Sequence, residues 1–304
     1  MSASRWLCMG TFTLSFVSAI SAETLCPGGG AGMRPRIVEH SIVIVAVTVN
    51  DSGPYDFVLD TAAQMTTIDP SLASELHLKM EGTAGVIGAG FFTRARYARL
   101  DVLRTGAQSV KEPLVLVQPL GQIEISDRRV RGILGENFLE QFDLLIDYDH
   151  AVVCLDDSKR LRPKVKGEHL ALVAPQGAEN HPAFLQPPLI AVTVAGASGR
   201  SLLLQLDSGI NAPLLFDPAV LHSAPVSGEP LRSRGADGVS HLYAVLPPRD
   251  IRVGPHRLRH VSFVAPVATG KDLPRDGADG VLPTGLFRSV FISFQGRFAV
   301  LVPW

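Results

Sequence analysis

Apolar and polar positions alternate along much of this chain with the short period of β-strands. Ser41-Ile42-Val43-Ile44-Val45-Ala46-Val47-Thr48-Val49 is rich in β-branched residues, stops at Asn50-Asp51-Ser52-Gly53-Pro54, and resumes as Tyr55-Asp56-Phe57-Val58-Leu59. Such a pair of apolar runs around a turn signal predicts a hairpin, here one whose second strand runs into Asp60. The pattern returns later as Leu189 to Val194, a turn at Gly196-Ala197-Ser198-Gly199, and Ser201 to Leu206 running into Asp207. Helical signals are few. Asp69-Pro70 and Asp217-Pro218 each place an N-cap before a proline suited to a first helical position, and a further helical turn is expected over Glu136 to Phe142.

The two hairpins belong to a longer internal repeat. Leu59-Asp60-Thr61-Ala62-Ala63 is echoed 147 residues later by Leu206-Asp207-Ser208-Gly209-Ile210. In the same order, Ala46 to Val49 recurs at Ala191 to Val194, Asp69-Pro70 at Asp217-Pro218, Gly88-Ala89-Gly90 at Gly235-Ala236-Asp237, Gly106 at Gly254, and Gly132-Ile133-Leu134 at Gly280-Val281-Leu282. Matches that keep their order and nearly their offset describe a duplicated β domain. The expected organisation is a signal peptide over 1–22, a tail over 23–37, a first lobe over 38–160, a linker over 161–185 and a second lobe over 186–304. The signal rests on Arg5, the mostly apolar run from Trp6 to Val17 and the small residues Ser18 to Ala22. No later run approaches a membrane span, so we expect a secreted or periplasmic protein without a stable membrane span once the signal is cut.

Composition narrows the functions. Lys and Arg total 28 against 29 Asp and Glu, a net charge of −1, which lacks the cationic excess that binding a nucleic acid backbone requires. After signal cleavage Cys26 and Cys154 remain, an even number in an oxidising compartment; they are a candidate disulfide, although spacing alone equally allows two free thiols. His256 and His260 stand at a helical interval in a segment that reads as strands, so no metal site is expected. No G-x-S-x-G segment is present to form a nucleophile elbow, and nothing calls for an organic cofactor.

A duplicated aspartate has its own chemistry. Two equivalent carboxyls brought together about an approximate two-fold axis cannot both ionise, so one keeps a proton while the other acts as a base toward water. With the hydrophobic-Asp-Thr/Ser segments at Asp60 and Asp207 and the later apolar-Gly elements Arg131-Gly132-Ile133-Leu134-Gly135 and Asp279-Gly280-Val281-Leu282, the chain resembles the pepsin and retropepsin family of aspartic proteases. The first half, with Phe138-Leu139 and Ile146-Asp147-Tyr148, is similar to bacterial retropepsin-like domains, and the whole resembles a fused retropepsin dimer. The resemblance implies an all-β fold of two barrel-like lobes with a few short helices and a cleft between them. It also implies a peptide or protein substrate, and a monomer can suffice because one chain carries both halves of the site. Asp60 and Asp207 would form the catalytic dyad. Thr61 and Ser208 would brace it across the axis beside Ala62 and Gly209, and Gly132 and Gly280 would lie in loops beneath it. Gly88, Ala89, Gly90 and Phe91 in one lobe and Gly235, Ala236 and Asp237 in the other would form two flaps over the substrate. Phe57, Ile87, Phe91, Ile210 and Leu214 are expected to give the cleft an apolar lining.

The departures are informative. The family expects Gly after Asp-Thr, where this chain has Ala62; a left-handed φ there would cost alanine about 1 kcal/mol or more, whereas a negative φ would make the change mild. Ala62 also favours a second reading, a catalytically silent two-lobed module that binds peptides in its cleft. The residues after the two motifs, Ala63 and Ile210, lack the hydroxyl that would stabilise an ionised carboxylate. The expected consequence is a pH–rate profile peaking in mild acid, around pH 5 to 6, and a maximum below about pH 3 would contradict it.

Overall fold

The computed structural model describes residues 25–87, 92–120, 124–125, 128–157, 159–174, 187–196, 201–216, 229–234, 240–267 and 277–304. The first hairpin forms as its sequence directs, with a tighter turn than the turn signal implied. Asn50 and Asp51 both adopt left-handed φ, 46° and 62°, the conformation that a two-residue hairpin turn demands and that Asn and Asp tolerate. The second strand therefore begins at Ser52 and runs to Leu59, opposite Ile42–Val49. Val43, Val45, Val47 and Val49 meet Phe57 and Leu59 in the core, and Asp60 follows at the strand's end.

Both lobes repeat one strand order. In the first it runs Met80–Ile87, Phe92–Arg99, Leu114–Val117, Thr67–Ile68, Gly132–Leu134, Ser52–Leu59, Ile42–Val49, Val102–Thr105, Gln108–Lys111, with Arg36–Val38 added beside Ile42–Val49. In the second it runs Leu231–Arg234, Ser240–Val245, Val264–Pro266, Leu214–Leu215, Gly280–Pro283, Leu202–Asp207, Leu189–Val194, Arg249–Val253, His256–Val261. In each, the strand leading to the aspartate lies parallel to the apolar-Gly strand, which is antiparallel to the short strand beyond it. The glycines permit that crossing. A Cβ on Gly280 would lie 2.0 Å from the Leu214 carbonyl oxygen, and one on Gly132 would lie 2.1 Å from the Phe57 ring. Phe57 and Leu214, expected in the cleft, are instead buried in the lobes. Tight packing on these glycines and on the central strands draws them inward.

A third sheet joins the halves. Its antiparallel order is Val152–Asp156, Asp143–Asp147, Phe287–Ser293, Phe298–Pro303, Leu170–Ala171. The two lobes meet at its middle, Leu145 opposite Phe291. This pairing shortens the helix expected over Glu136 to Phe142: it spans Glu136–Leu139, because Asp143 already enters the sheet. The stretch expected as linker contributes the turn Arg162–Lys164 and the strand Leu170–Ala171. Asp69 caps Pro70–Glu75 by accepting from the Ser71 N–H at 2.9 Å. The matching Asp217-Pro218 lies outside the described residues, as does the expected signal peptide. Among the described residues no helix is long and apolar enough to cross a membrane.

The N-terminal segment lies along the Val152–Asp156 edge of this sheet. Met33 pairs with Val153, and Cys26 is joined to Cys154 by a disulfide. The bond lies in an apolar cluster with Leu145, Val152, Leu161, Phe291 and Val300. It closes a loop of 128 residues, so it removes considerable freedom from the unfolded chain. Reduction, or a Cys26→Ser/Cys154→Ser double variant, is expected to lower unfolding free energy by about 2–5 kcal/mol in denaturant titrations.

Candidate active site

The parallel crossing in each lobe delivers an aspartate to the interface between lobes, and the next residue locks the two ends together. Thr61 donates its hydroxyl hydrogen to the Leu206 carbonyl at 2.8 Å and accepts from the Ser208 N–H at 3.2 Å. Ser208 mirrors it, donating to the Leu59 carbonyl at 2.7 Å and accepting from the Thr61 N–H at 3.2 Å. Both side chains are fully buried. Four reciprocal bonds thus satisfy two hydroxyls and four backbone groups where no water can replace them.

The bracing brings Asp60 and Asp207 within hydrogen-bonding reach of each other. Their surroundings are unequal. Asp60 Oδ1 accepts from the N–H groups of Ala62 at 2.8 Å and Ala63 at 2.9 Å, whereas Asp207 Oδ1 accepts from Gly209 at 2.7 Å. Loss of water raises both carboxyls above the ordinary aspartate range. For Asp60 the two N–H groups oppose that rise, while for Asp207 the charge of Asp60 adds to it and carries the group well above. The backbone N–H groups therefore favour the ionised form of Asp60 over that of Asp207.

Ala62 fits this turn. Its φ lies outside the left-handed region, as does that of Gly209, so the expected requirement for glycine is not conformational. Space is the stricter constraint in the second lobe. A Cβ on Gly209 would stand 2.8 Å from the Asp60 carboxyl carbon and 3.3 Å from Asp207 Oδ1. The Ala62 carbonyl accepts from Gln205 Nε2 at 3.1 Å, a further link between lobes.

Gly132 and Gly280 lie in the strands next to those bearing the aspartates. The strand pairs expected to carry the flaps are Met80–Ile87 with Phe92–Arg99 and Leu231–Arg234 with Ser240–Val245. Their tips, including Gly88, Ala89, Gly90, Phe91, Gly235, Ala236 and Asp237, lie outside the described residues. Ile210 is half-buried beside Asp207. Among the described residues no three His, Cys, Asp or Glu side chains gather as metal ligands.

Several supporting residues were not singled out in the sequence. Asn137 Oδ1 accepts from the Thr66 N–H and hydroxyl, both at 2.8 Å, and Thr66 Oγ1 accepts from the Gly135 N–H at 3.1 Å. Glu136, at the start of the short helix, is 1% exposed. Its N–H donates to the Ala63 carbonyl at 2.7 Å, and its Oε2 has no hydrogen-bond partner. In the second copy Pro283-Thr284-Gly285 replaces Gly135-Glu136-Asn137. That divergence was the visible sign that the two loops are supported differently.

Residues 45–138 match the family model described as aspartyl protease. No curated protein sequence matches the chain. Among solved structures, the aspartic proteinase from Irpex lacteus aligns with a TM-score of 0.50 and 11% identity, over 90% of this chain and 97% of that one. The retropepsin-like aspartic protease from Rickettsia conorii aligns with a TM-score of 0.29 and 18% identity, over 41% of this chain and 88% of that one.

Burial drives Glu136 up to about 9, with Glu140 adding to the rise and Arg297 opposing it. The unfolded chain sheds this proton at a much lower pH, so between the two values it binds fewer protons than the folded protein. Stability is then full below the unfolded value and falls as pH climbs toward about 9. Glu136→Gln is expected to remove that slope and to be more stable than the parent near pH 7, by about 3 kcal/mol, in unfolding titrations between pH 5 and about 8.

Proposed function

From its place among the pepsin-like and retropepsin-like aspartic proteases, by the match of residues 45–138 and the two-lobed fold, we propose that this chain is a secreted or periplasmic endopeptidase. In this reading it hydrolyses peptide bonds with Asp60 as base and Asp207 as acid. The observation that carries the reading is the inequality of two adjoining carboxyls, two backbone N–H groups on Asp60 against one on Asp207.

A water held between the carboxyls loses a proton to Asp60 as its oxygen attacks the scissile carbonyl carbon, while Asp207 gives its proton to the carbonyl oxygen. The tetrahedral diol that forms is neutral overall. Its collapse returns a hydroxyl proton to Asp207, and the proton held by Asp60 passes to the leaving amine. No covalent enzyme intermediate is required. Thr61 and Ser208 take no part in proton transfer; they fix the distance between the carboxyls, on which the sharing of one proton depends. The flap hairpins extend from the same sheets and supply backbone edges along which an extended peptide can pair.

Ala62 is the feature behind the alternative of a silent peptide-binding module, since it adds to the Asp60 turn a methyl group that its counterpart Gly209 lacks. Cleavage of a diverse peptide mixture from about pH 3 to 8 separates the two readings. A protease gives products, and Asp60→Asn and Asp207→Asn each lower kcat on the order of a thousandfold or more with folding intact. A folded parent that retains peptides and yields no product identifies the binding module.

A further inference from the structure

The two halves of the site rest on different foundations. Beneath Asp207, three buried polar groups form a chain that crosses from the first lobe to the second. Tyr148, in the turn after the strand Asp143–Asp147, places its hydroxyl 2.6 Å from Thr284 Oγ1 and 3.1 Å from the main-chain oxygen of Ser41. Thr284 Oγ1 in turn lies 3.3 Å from the main-chain oxygen of Asp207. Ser41 is fixed against the same loop, its hydroxyl donating to the Ile210 carbonyl at 2.6 Å. Gly285 permits this approach, since a Cβ there would lie 2.6 Å from Ser41 Oγ.

The counterparts under Asp60 cannot build this chain. The strand registers align Gly280–Pro283 with Gly132–Leu134, which puts Glu136 where Thr284 stands. The hairpins closed by Asp147 opposite Val152 and by Ser293 opposite Phe298 put Phe294, without a hydroxyl, where Tyr148 stands. The hydroxyl chain is therefore an asymmetric addition to a symmetric frame.

Its hydrogens are too few for its contacts. Tyr148 and Thr284 have one hydroxyl hydrogen each, but three contacts need one: Tyr148 to Ser41, Tyr148 to Thr284, and Thr284 to Asp207. Two arrangements follow. In one, Tyr148 donates to Ser41 and Thr284 donates to Tyr148, so both dipoles point away from Asp207. In the other, Tyr148 donates to Thr284 and Thr284 donates to the main-chain oxygen of Asp207, so the positive ends face that peptide group and the Ser41 oxygen gives up its donor.

We propose that Tyr148 and Thr284 are positioning residues for Asp207, a reversible hydroxyl relay that turns away when Asp207 carries its proton and turns toward it when the proton leaves. The relay rests on the catalytic reading above for its role in turnover, since it lets one member of the dyad change charge at small cost while its loop stays fixed. The charged groups nearby are Asp207 itself and Asp60 beyond it. Along the chain Glu39 and His40 precede Ser41, Asp147 and Asp149 border Tyr148, and the Arg288 carbonyl accepts from the Tyr148 N–H; Glu39, His40, Asp149 and Arg288 are exposed and Asp147 is half-buried.

The test reads the Asp207 carboxyl directly, by 13C NMR titration of the full chain with labelled aspartate, the signal assigned by its loss in Asp207→Asn. Thr284→Val leaves Tyr148 donating to Ser41 and removes the hydroxyl dipole that faces the Asp207 main-chain oxygen, so the Asp207 midpoint should rise by roughly half a pH unit or more. Tyr148→Phe leaves Thr284 with the Asp207 oxygen as its remaining acceptor, so the midpoint should fall by a similar amount. Thr284→Ser keeps the hydroxyl and should titrate like the parent. Opposite shifts establish the relay; shifts of one sign, or none, overturn it. If Thr284→Val fails to fold, Tyr148→Phe decides alone, since it keeps the ring and only a downward shift agrees. Cleavage measured on the same samples separates the two ideas: opposite shifts in a parent that cuts nothing would uphold the relay and defeat the protease reading.

Discussion

Two carboxyls held close together, Asp207 buried and Asp60 half-buried, are unstable neighbours, and the rest of this structure is arranged to keep them so. Removing water from either raises the free energy of its ion, and ionising one opposes ionising the other. Only a frame that resists separation can hold such a pair. Here it consists of four bonds between Thr61, Ser208 and the strand ends that carry the aspartates. Each hydroxyl satisfies backbone groups of the opposite lobe. Separating the lobes would therefore strand buried donors and acceptors as well as break contacts.

The frame extends outward through close backbone approach. Gly132 and Gly280 let the strands beneath each aspartate cross where any side chain would collide with a ring or a carbonyl. The sheet shared between halves then joins the lobes along Leu145 and Phe291, and the disulfide fastens the N-terminal segment to its edge. These features set how far apart the two loops stand.

Symmetry stops at the site, where the duplicated halves have diverged in their supports. Ala62 and Ala63 give Asp60 two N–H groups, while Asp207 receives that of Gly209 and lies above a pair of hydroxyls. Beneath Asp60 stands a buried glutamate with an unpartnered oxygen. An equal pair would have no preferred location for its one proton. Unequal supports bias its location toward one of the two. The replacement of a glycine by Ala62 belongs to the same divergence. It is tolerated because that turn needs no left-handed residue.

Much of this was written in the sequence, because it depends on local pattern. Alternating β-branched runs fixed the hairpins, Asn50 and Asp51 marked the first turn, and the repeated Asp-hydroxyl pair exposed the duplication and both aspartates. Family resemblance supplied the pairing of Thr61 with Ser208. Other features depend on which distant segments meet, and pattern does not record that. Phe57 and Leu214 look like cleft residues in sequence and are core residues in space, since apolar character is the same in both places. The shared sheet took over Asp143 and ended the helix early, a long-range pairing overriding a local preference. The unequal supports of the two aspartates and the partners of Tyr148 and Thr284 were decided only by tertiary structure, because a hydrogen bond is set by distance and direction between groups more than a hundred residues apart.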